Sequence, residues 1–214
     1  MLSDGQSCRV FQQLASGAFS QLYASGDAES VDRLRVARIN GDHLPDLVYR
    51  ASSAVGVTLR VRLNQPANPG TFGPPIDRPA PAGGVREVAA RDFDGDGLAE
   101  VLLIGNGEGR GYTRDPAALN SILPNQRSIP SFNGRVTSWD SDGDGRPEPV
   151  VWSSLAIDLL HNGRRGLFGD HAATIRFSTD QRPAFVAPGD VDGDGRDGLL
   201  VLLTSGEILV LRRR

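Results

Sequence analysis

A chain of 214 residues with 39% hydrophobic and 23% charged side chains has the makeup of a globular protein able to bury a sizeable core. Its net charge of -3 is too small to argue for a nucleic acid partner, and no apolar run reaches the length of about eighteen residues that membrane insertion needs. A single cysteine, Cys8, excludes an intramolecular disulfide and a thiolate zinc site.

The opening residues Met1 to Gln6 lack the basic and apolar segments of a signal peptide. The stretch Leu2 to Phe11 matches Leu203 to Arg212 in phase, so the chain is expected to hold a whole number of repeat periods, four. Gly17-Ala18-Phe19 is the first of several glycine-aromatic punctuations. Next comes a short apolar segment, Leu34-Arg35-Val36, then Arg38-Ile39-Asn40-Gly41-Asp42-His43-Leu44-Pro45-Asp46, then Asp46-Leu47-Val48-Tyr49. Val57 to Leu63 alternates strictly, which predicts a strand with one buried and one wet face. Gly70-Thr71-Phe72-Gly73 repeats the punctuation, and a recurring aromatic after a turn is read as packing between neighbouring repeats.

The second unit carries the clearest motif. Between the apolar segments Val85 to Val88 and Val101 to Ile104 lies Asp92-Phe93-Asp94-Gly95-Asp96-Gly97-Leu98-Ala99-Glu100. Carboxylates at alternate positions, with a backbone carbonyl at Leu98, can converge on one hard cation that takes oxygen ligands. Gly95 and Gly97 permit the positive φ that lets so short a segment curl around a point. Without a cation the acids Asp92, Asp94, Asp96 and Glu100 repel one another. This site is therefore expected to hold Ca2+.

Gly105 to Asn133 breaks the rhythm, with Tyr112 in place of the phenylalanine and an irregular run from Asp115 to Pro124. A distorted unit or an extended, ligand-facing loop is expected there. The loop motif returns after Val136-Thr137-Ser138-Trp139 as Asp140-Ser141-Asp142-Gly143-Asp144-Gly145-Arg146-Pro147-Glu148. Here Asp140, Asp142, Asp144 and Glu148 supply side chains and Arg146 a carbonyl. Strands are predicted at Val150 to Trp152, at Ala156 to Leu160 and, after Gly166-Leu167-Phe168-Gly169, at Ala172 to Phe177. The last copy, Asp190-Val191-Asp192-Gly193-Asp194-Gly195-Arg196-Asp197-Gly198, follows Ala184-Phe185-Val186 and precedes Leu199 to Leu203. It keeps Asp190, Asp192, Asp194 and the carbonyl of Arg196, but has Gly198 where the ninth ligand belongs. In the upstream copy Arg38 replaces the first carboxylate and can itself supply positive charge, so no metal is expected there. Ile208 to Leu211 is the closing strand, and Arg212-Arg213-Arg214 is read as its solvated end.

The loops start at residues 38, 92, 140 and 190, a period of about fifty that belongs to propeller blades and solenoids. An EF-hand is excluded, because position twelve is Leu103, Val151 or Val201 and the flanks are strand-like. Asp-Gly pairs also make metal-free hairpin turns, an alternative that one copy alone would leave open. The expected fold is all-β, a single repeat domain over residues 1–214 built as a β-propeller of about four blades. Each blade is a four-stranded antiparallel sheet carrying a calcium hairpin. The first strands are expected to pair with the last hairpin and close a small ring, or else to meet another domain or chain. On this reading the chain can also be a fragment of a larger propeller or surface protein.

The pattern Asp-x-Asp-Gly-Asp-Gly-x-x-Asp/Glu before an apolar strand, with Gly-x-Phe-Gly later in the unit, resembles the FG-GAP or VCBS repeat family of integrin alpha-chain propellers and bacterial surface proteins. The resemblance covers about residues 8–211 and departs at Arg38, at Gly198 and in the third quarter. It implies a propeller whose calcium hairpins brace the blades without themselves binding a partner. A protein or carbohydrate ligand at a propeller face, without nucleic acid or membrane insertion, is the expected partner.

Catalysis finds little support. His43, His161 and His171 lie in or near turns with no nucleophile elbow or HExxH beside them, and calcium-bound carboxylates make poor bases. The expected function is a non-catalytic, extracellular, calcium-stabilised binding or adhesion module. A scaffold domain of a larger surface protein or toxin, and the accessory propeller of a polysaccharide lyase, are the alternatives.

Overall fold

The computed structural model describes residues 2–3, 8–25, 30–53, 56–80, 84–105, 108–114, 122–130, 134–163 and 166–212. Among them there is no helix, and every strand pairing is antiparallel. The strands form five sheets in chain order. Sheet 1 comprises β1 (Leu2–Ser3), β2 (Cys8–Gln13) and β3 (Phe19–Ala24). Sheet 2 comprises β4 (Ser30–Ala37), β5 (Asp46–Ser53), β6 (Gly56–Arg62) and β7 (Ile76–Pro79). Sheet 3 comprises β8 (Glu87–Arg91), β9 (Glu100–Ile104), β10 (Glu108–Arg114) and β11 (Ile122–Pro130). Sheet 4 comprises β12 (Arg135–Trp139), β13 (Glu148–Trp152), β14 (Ala156–Gly163) and β15 (Gly166–Arg176). Sheet 5 comprises β16 (Pro183–Gly189), β17 (Gly198–Leu203) and β18 (Ile208–Leu211).

The sheets stack in sequence order, and their second strands show why. Val101, Leu102, Leu103 and Ile104 are fully buried along β9, a continuous apolar run that suits a strand covered on both faces. Leu103 and Val101 join Val48, Leu59 and Val61 of sheet 2, while Leu102 and Ile104 join Val151 and Leu160 of sheet 4. Strand β13 does the same, with Val151 toward sheet 3 and Val150 beside Val186, Leu199 and Val201 of sheet 5. Each such side chain contributes roughly 1.5–3 kcal/mol when fully buried. The leading strands β4, β8, β12 and β16 lie side by side in a row, and each runs into one of the acidic loops.

Aromatic side chains tie the units together. Phe72 of the second punctuation meets Tyr23 of sheet 1 edge to face, with centroids 5.1 Å apart, and Tyr112 of sheet 3 donates its hydroxyl to the carbonyl of Pro79 in β7 at 2.8 Å. Phe19, at the first punctuation, is instead 68% exposed.

Two expectations need correcting. The first strands do not pair with the last hairpin: β1, β2 and β3 bond to one another. Cys8 at the centre of that sheet packs with Val31, Leu47, Tyr49 and Ala51, so sheet 1 has a hydrophobic partner in sheet 2. In the irregular third quarter β10 and β11 pair through a register shift between Gly109 and Gly111, the distorted unit that is one of the two expectations. Residues Asp115 to Ser121 of the expected loop lie outside the described residues. The strand expected from Ala172 begins earlier, so Gly166 to Gly169 are the first part of β15.

Candidate metal centres

Each acidic loop is wound around its first carboxylate. Asp92 accepts the amide of Gly95 at 2.6 Å on one oxygen and that of Gly97 at 2.8 Å on the other. Asp140 does the same with Gly143 and Gly145, at 2.5 and 3.1 Å, and Asp190 with Gly193 and Gly195, at 2.8 and 2.9 Å. All six glycines have positive φ, between 74° and 88°, a region where a side chain would be strained. The later acids form small turns of their own. Asp94 accepts from Asp96 and Asp142 from Asp144, while Asp96, Asp144 and Asp194 accept from the amides of Leu98, Arg146 and Arg196.

The outcome is convergence. One oxygen each from Asp92, Asp94 and Asp96 lie within 4.8 Å of one another, as do those of Asp140, Asp142 and Glu148, and those of Asp190, Asp192 and Asp194. Calcium–oxygen bonds of about 2.3–2.6 Å allow two ligands of one ion to sit about 5 Å apart, so all three groups fit that cation. When bound, calcium would supply fixed positive charge; Asp92, Asp94 and Asp96 would hold it in the first loop, Asp140, Asp142 and Glu148 in the second, and Asp190, Asp192 and Asp194 in the third, so that the predicted ligands Glu100 and Asp144 fall outside the convergent groups. Burial, followed by the charges of Asp94, Asp96 and Asp92, pushes the Glu100 carboxyl up to about 8 against the opposing bond from the Phe93 amide. Burial likewise raises Asp94 and Glu148, the charges of Asp96 and Asp92 adding to the first and that of Asp142 to the second. In the solvated last loop the amides of Gly195 and Gly193 hold Asp190 below the usual carboxylate range.

The ninth position has a role that the ligand reading overlooks. Glu100 is 3% exposed and accepts the amide of Phe93 at 2.8 Å, closing the loop back on its second residue. Glu148 is 2% exposed and accepts both the amide and the hydroxyl of Ser141 at 2.8 Å. In the upstream copy Asp46, fully buried, accepts the amides of Ile39 at 2.8 Å and Asn64 at 2.9 Å. The latch thus persists where Arg38 has replaced the first acid, and among the described residues no metal-holding group is found in that loop. The sequence signal was an acid kept at position nine of a loop whose first acid had gone. Gly198 leaves the last loop without a latch.

The loops are also chained to one another. Ala99 donates its amide to the carbonyl of Arg38 at 2.6 Å, and the Trp139 indole donates to the carbonyl of Asp197 at 2.7 Å. The side chain of Arg146 lies against Gly95 so closely that a Cβ there would come within 2.8 Å of Nε. The acidic loops therefore form a connected row at one end of the stack.

A repeat of this construction can be compared with known families. The FG-GAP-like repeat matches residues 38–103 and 140–201, more than half of the chain. The chain belongs to the FG-GAP-like repeat family. Both FG-GAP segments begin at the first position of an acidic loop and end inside the second strand of a following sheet. None of the curated proteins compared with the chain matches it.

Proposed function

We propose that this FG-GAP repeat chain is a calcium-stabilised, propeller-like binding or adhesion module that works outside the cell and is not an enzyme. The observation that carries the reading is the recurrence of three convergent carboxylate groups in equivalent hairpins of consecutive sheets. Calcium at extracellular, millimolar levels suits open loops of this kind. The ions brace the hairpins, and a protein or carbohydrate partner binds on a face made by the sheets. Sheets 2 to 5 act as successive blades, with their leading strands toward the axis. The loop acids are held by backbone amides and face one another, which leaves no acid and base pair poised across a substrate.

The test is thermal unfolding with calcium and with chelator. Asp94→Ala and Asp142→Ala are each expected to lower the melting temperature in calcium, and chelator to bring the wild type toward the variants. A melting temperature indifferent to chelator makes the loops plain turns and ends the proposal. The scaffold reading has one observation in its favour. Sheet 5 exposes Phe185, Val191 and Ile208 by 53%, 45% and 60%, an apolar face that a further domain could cover.

A further inference from the structure

At the other end of the stack from the metal loops, the starts of β4, β8 and β12 surround an open cavity of about 570 Å³. The five residues of β12 set the two ends roughly 16 Å apart. The charged groups lining this cavity are Arg33, Arg50, Arg86, Arg135 and one acid, Glu87. Glu87 accepts a bond from Arg35 at 2.8 Å, and Arg50 pairs with Asp32 at 2.6 Å. Among the described residues that line the cavity, four carry guanidinium groups and one a carboxylate.

The arginines are placed by the repeat. Arg33, Arg86 and Arg135 stand five, six and five residues before the first positions of their loops, Arg38, Asp92 and Asp140. At Arg33 the strand departs from regular geometry to achieve this. The pairing of β4 with β5 shifts register between Asp32 and Arg35, and Arg33 has a φ of 53°, a conformation that long side chains rarely adopt. A bulge of this kind re-aims a side chain, and such strain collects at binding sites. The Arg33 guanidinium is steadied by donating Nε to the carbonyl of Arg86 at 2.7 Å. That of Arg135 lies 5.5 Å from the centre of the Trp152 ring. Among the described residues, Nε of Arg50 and Oδ1 of its partner Asp32 are buried without hydrogen-bond partners.

We propose that this arginine-lined cavity is an anion site that takes a compact ligand carrying two or more carboxylates. Guanidinium groups fork around carboxylates, and here four of them, from β4, β5, β12 and the residue before β8, line one cavity, so a ligand with more than one carboxylate can engage several. The inference rests on the reading of the chain as a binding module, but not on bound calcium.

The test is calorimetric titration of the full chain, in excess calcium and at constant ionic strength, with tricarballylate, a tricarboxylate without the chelating hydroxyl of citrate. Saturable binding is expected, with acetate binding far more weakly. Arg86→Gln and Arg135→Gln should each weaken tricarballylate about tenfold, the loss of charge-assisted hydrogen bonds. Arg176→Gln, at the exposed end of β15, should leave it unchanged. Arg135 is exposed, so its variant keeps the test alive if Arg86→Gln fails to fold. No binding by the wild type, equal binding of acetate, or full affinity in Arg135→Gln overturns the proposal. A normal response to chelator without tricarballylate binding sinks this inference alone, whereas binding without a chelator response sinks the calcium reading alone.

Discussion

The hairpin at Asp92 and the hairpin at Asp190 share one motif and differ in how they are embedded. Both first acids gather the same two glycine amides, so the curl of the loop needs only an aspartate and two residues of positive φ. Everything outside the curl differs. Phe93 is fully buried with Ala89, Leu102 and Val151, whereas Val191, its counterpart, is 45% exposed. Glu100 is buried and latched to Phe93, whereas Gly198 offers no carboxylate and Asp192 instead pairs with Arg212 at the surface, at 3.0 Å. The comparison separates loop shape, which is local, from loop anchoring, which comes from positions two and nine and from a neighbouring sheet.

Removing the anchor is the most direct way to break the comparison. Phe93→Ala is expected to cost about 3–5 kcal/mol, because it opens a cavity between sheets 3 and 4. Val191→Ala, its counterpart in sheet 5, should stay within about 0.5 kcal/mol in the same urea titration. Similar losses at both positions would mean that the last sheet is covered after all.

A smaller loss, about 1–3 kcal/mol, is expected of Glu100→Ala in chelator, where only the unsatisfied amide of Phe93 is at stake. Calcium should deepen the deficit if Glu100 is also a ligand. Measuring the variant with and without the ion therefore sharpens the division between latch and ligand. Stripping calcium from the wild type should remove about 2.7 kcal/mol for each site saturated at about a hundred times its dissociation constant. Terbium luminescence, followed with Asp94→Ala, Asp142→Ala and Asp192→Ala in turn, would report whether the unlatched loop binds as tightly as the other two. Arg212→Ala is the mildest change, within about 0.5 kcal/mol as for other exposed ion pairs, and raised salt should abolish even that.

Much of this was legible in the residues. Apolar runs on each side of an acidic loop gave the hairpins, but the reading of about four four-stranded units missed that the described strands form five sheets, the first and last of three strands. The strict alternation of Val57 to Leu63 matched β6 on its inner side, with Leu59 and Val61 inside, whereas Arg62, on the face expected to be wet, is buried and donates to the Tyr49 hydroxyl. Other features were hidden by physics that acts at a distance. A carboxylate at position nine reads as a ligand, and only burial reveals that Glu100, Glu148 and Asp46 hold a backbone amide. Phe93, inside a polar motif, gives no sign that it belongs to the core. The self-pairing of sheet 1 depended on a weak hairpin, Cys8 to Ala24, finding an apolar partner in sheet 2. The arginines at 33, 50, 86 and 135 are scattered in the chain and meet only because the leading strands lie abreast.

Sheets stacked in the order of synthesis make their main contacts with the sheets next to them in the chain. Mechanical load applied at the two ends should therefore peel the protein one unit after another rather than rupture it at once. With calcium in the loops of sheets 3, 4 and 5, detaching any of these would have to surrender an ion, so the external ion concentration would set the force at which the peeling halts there.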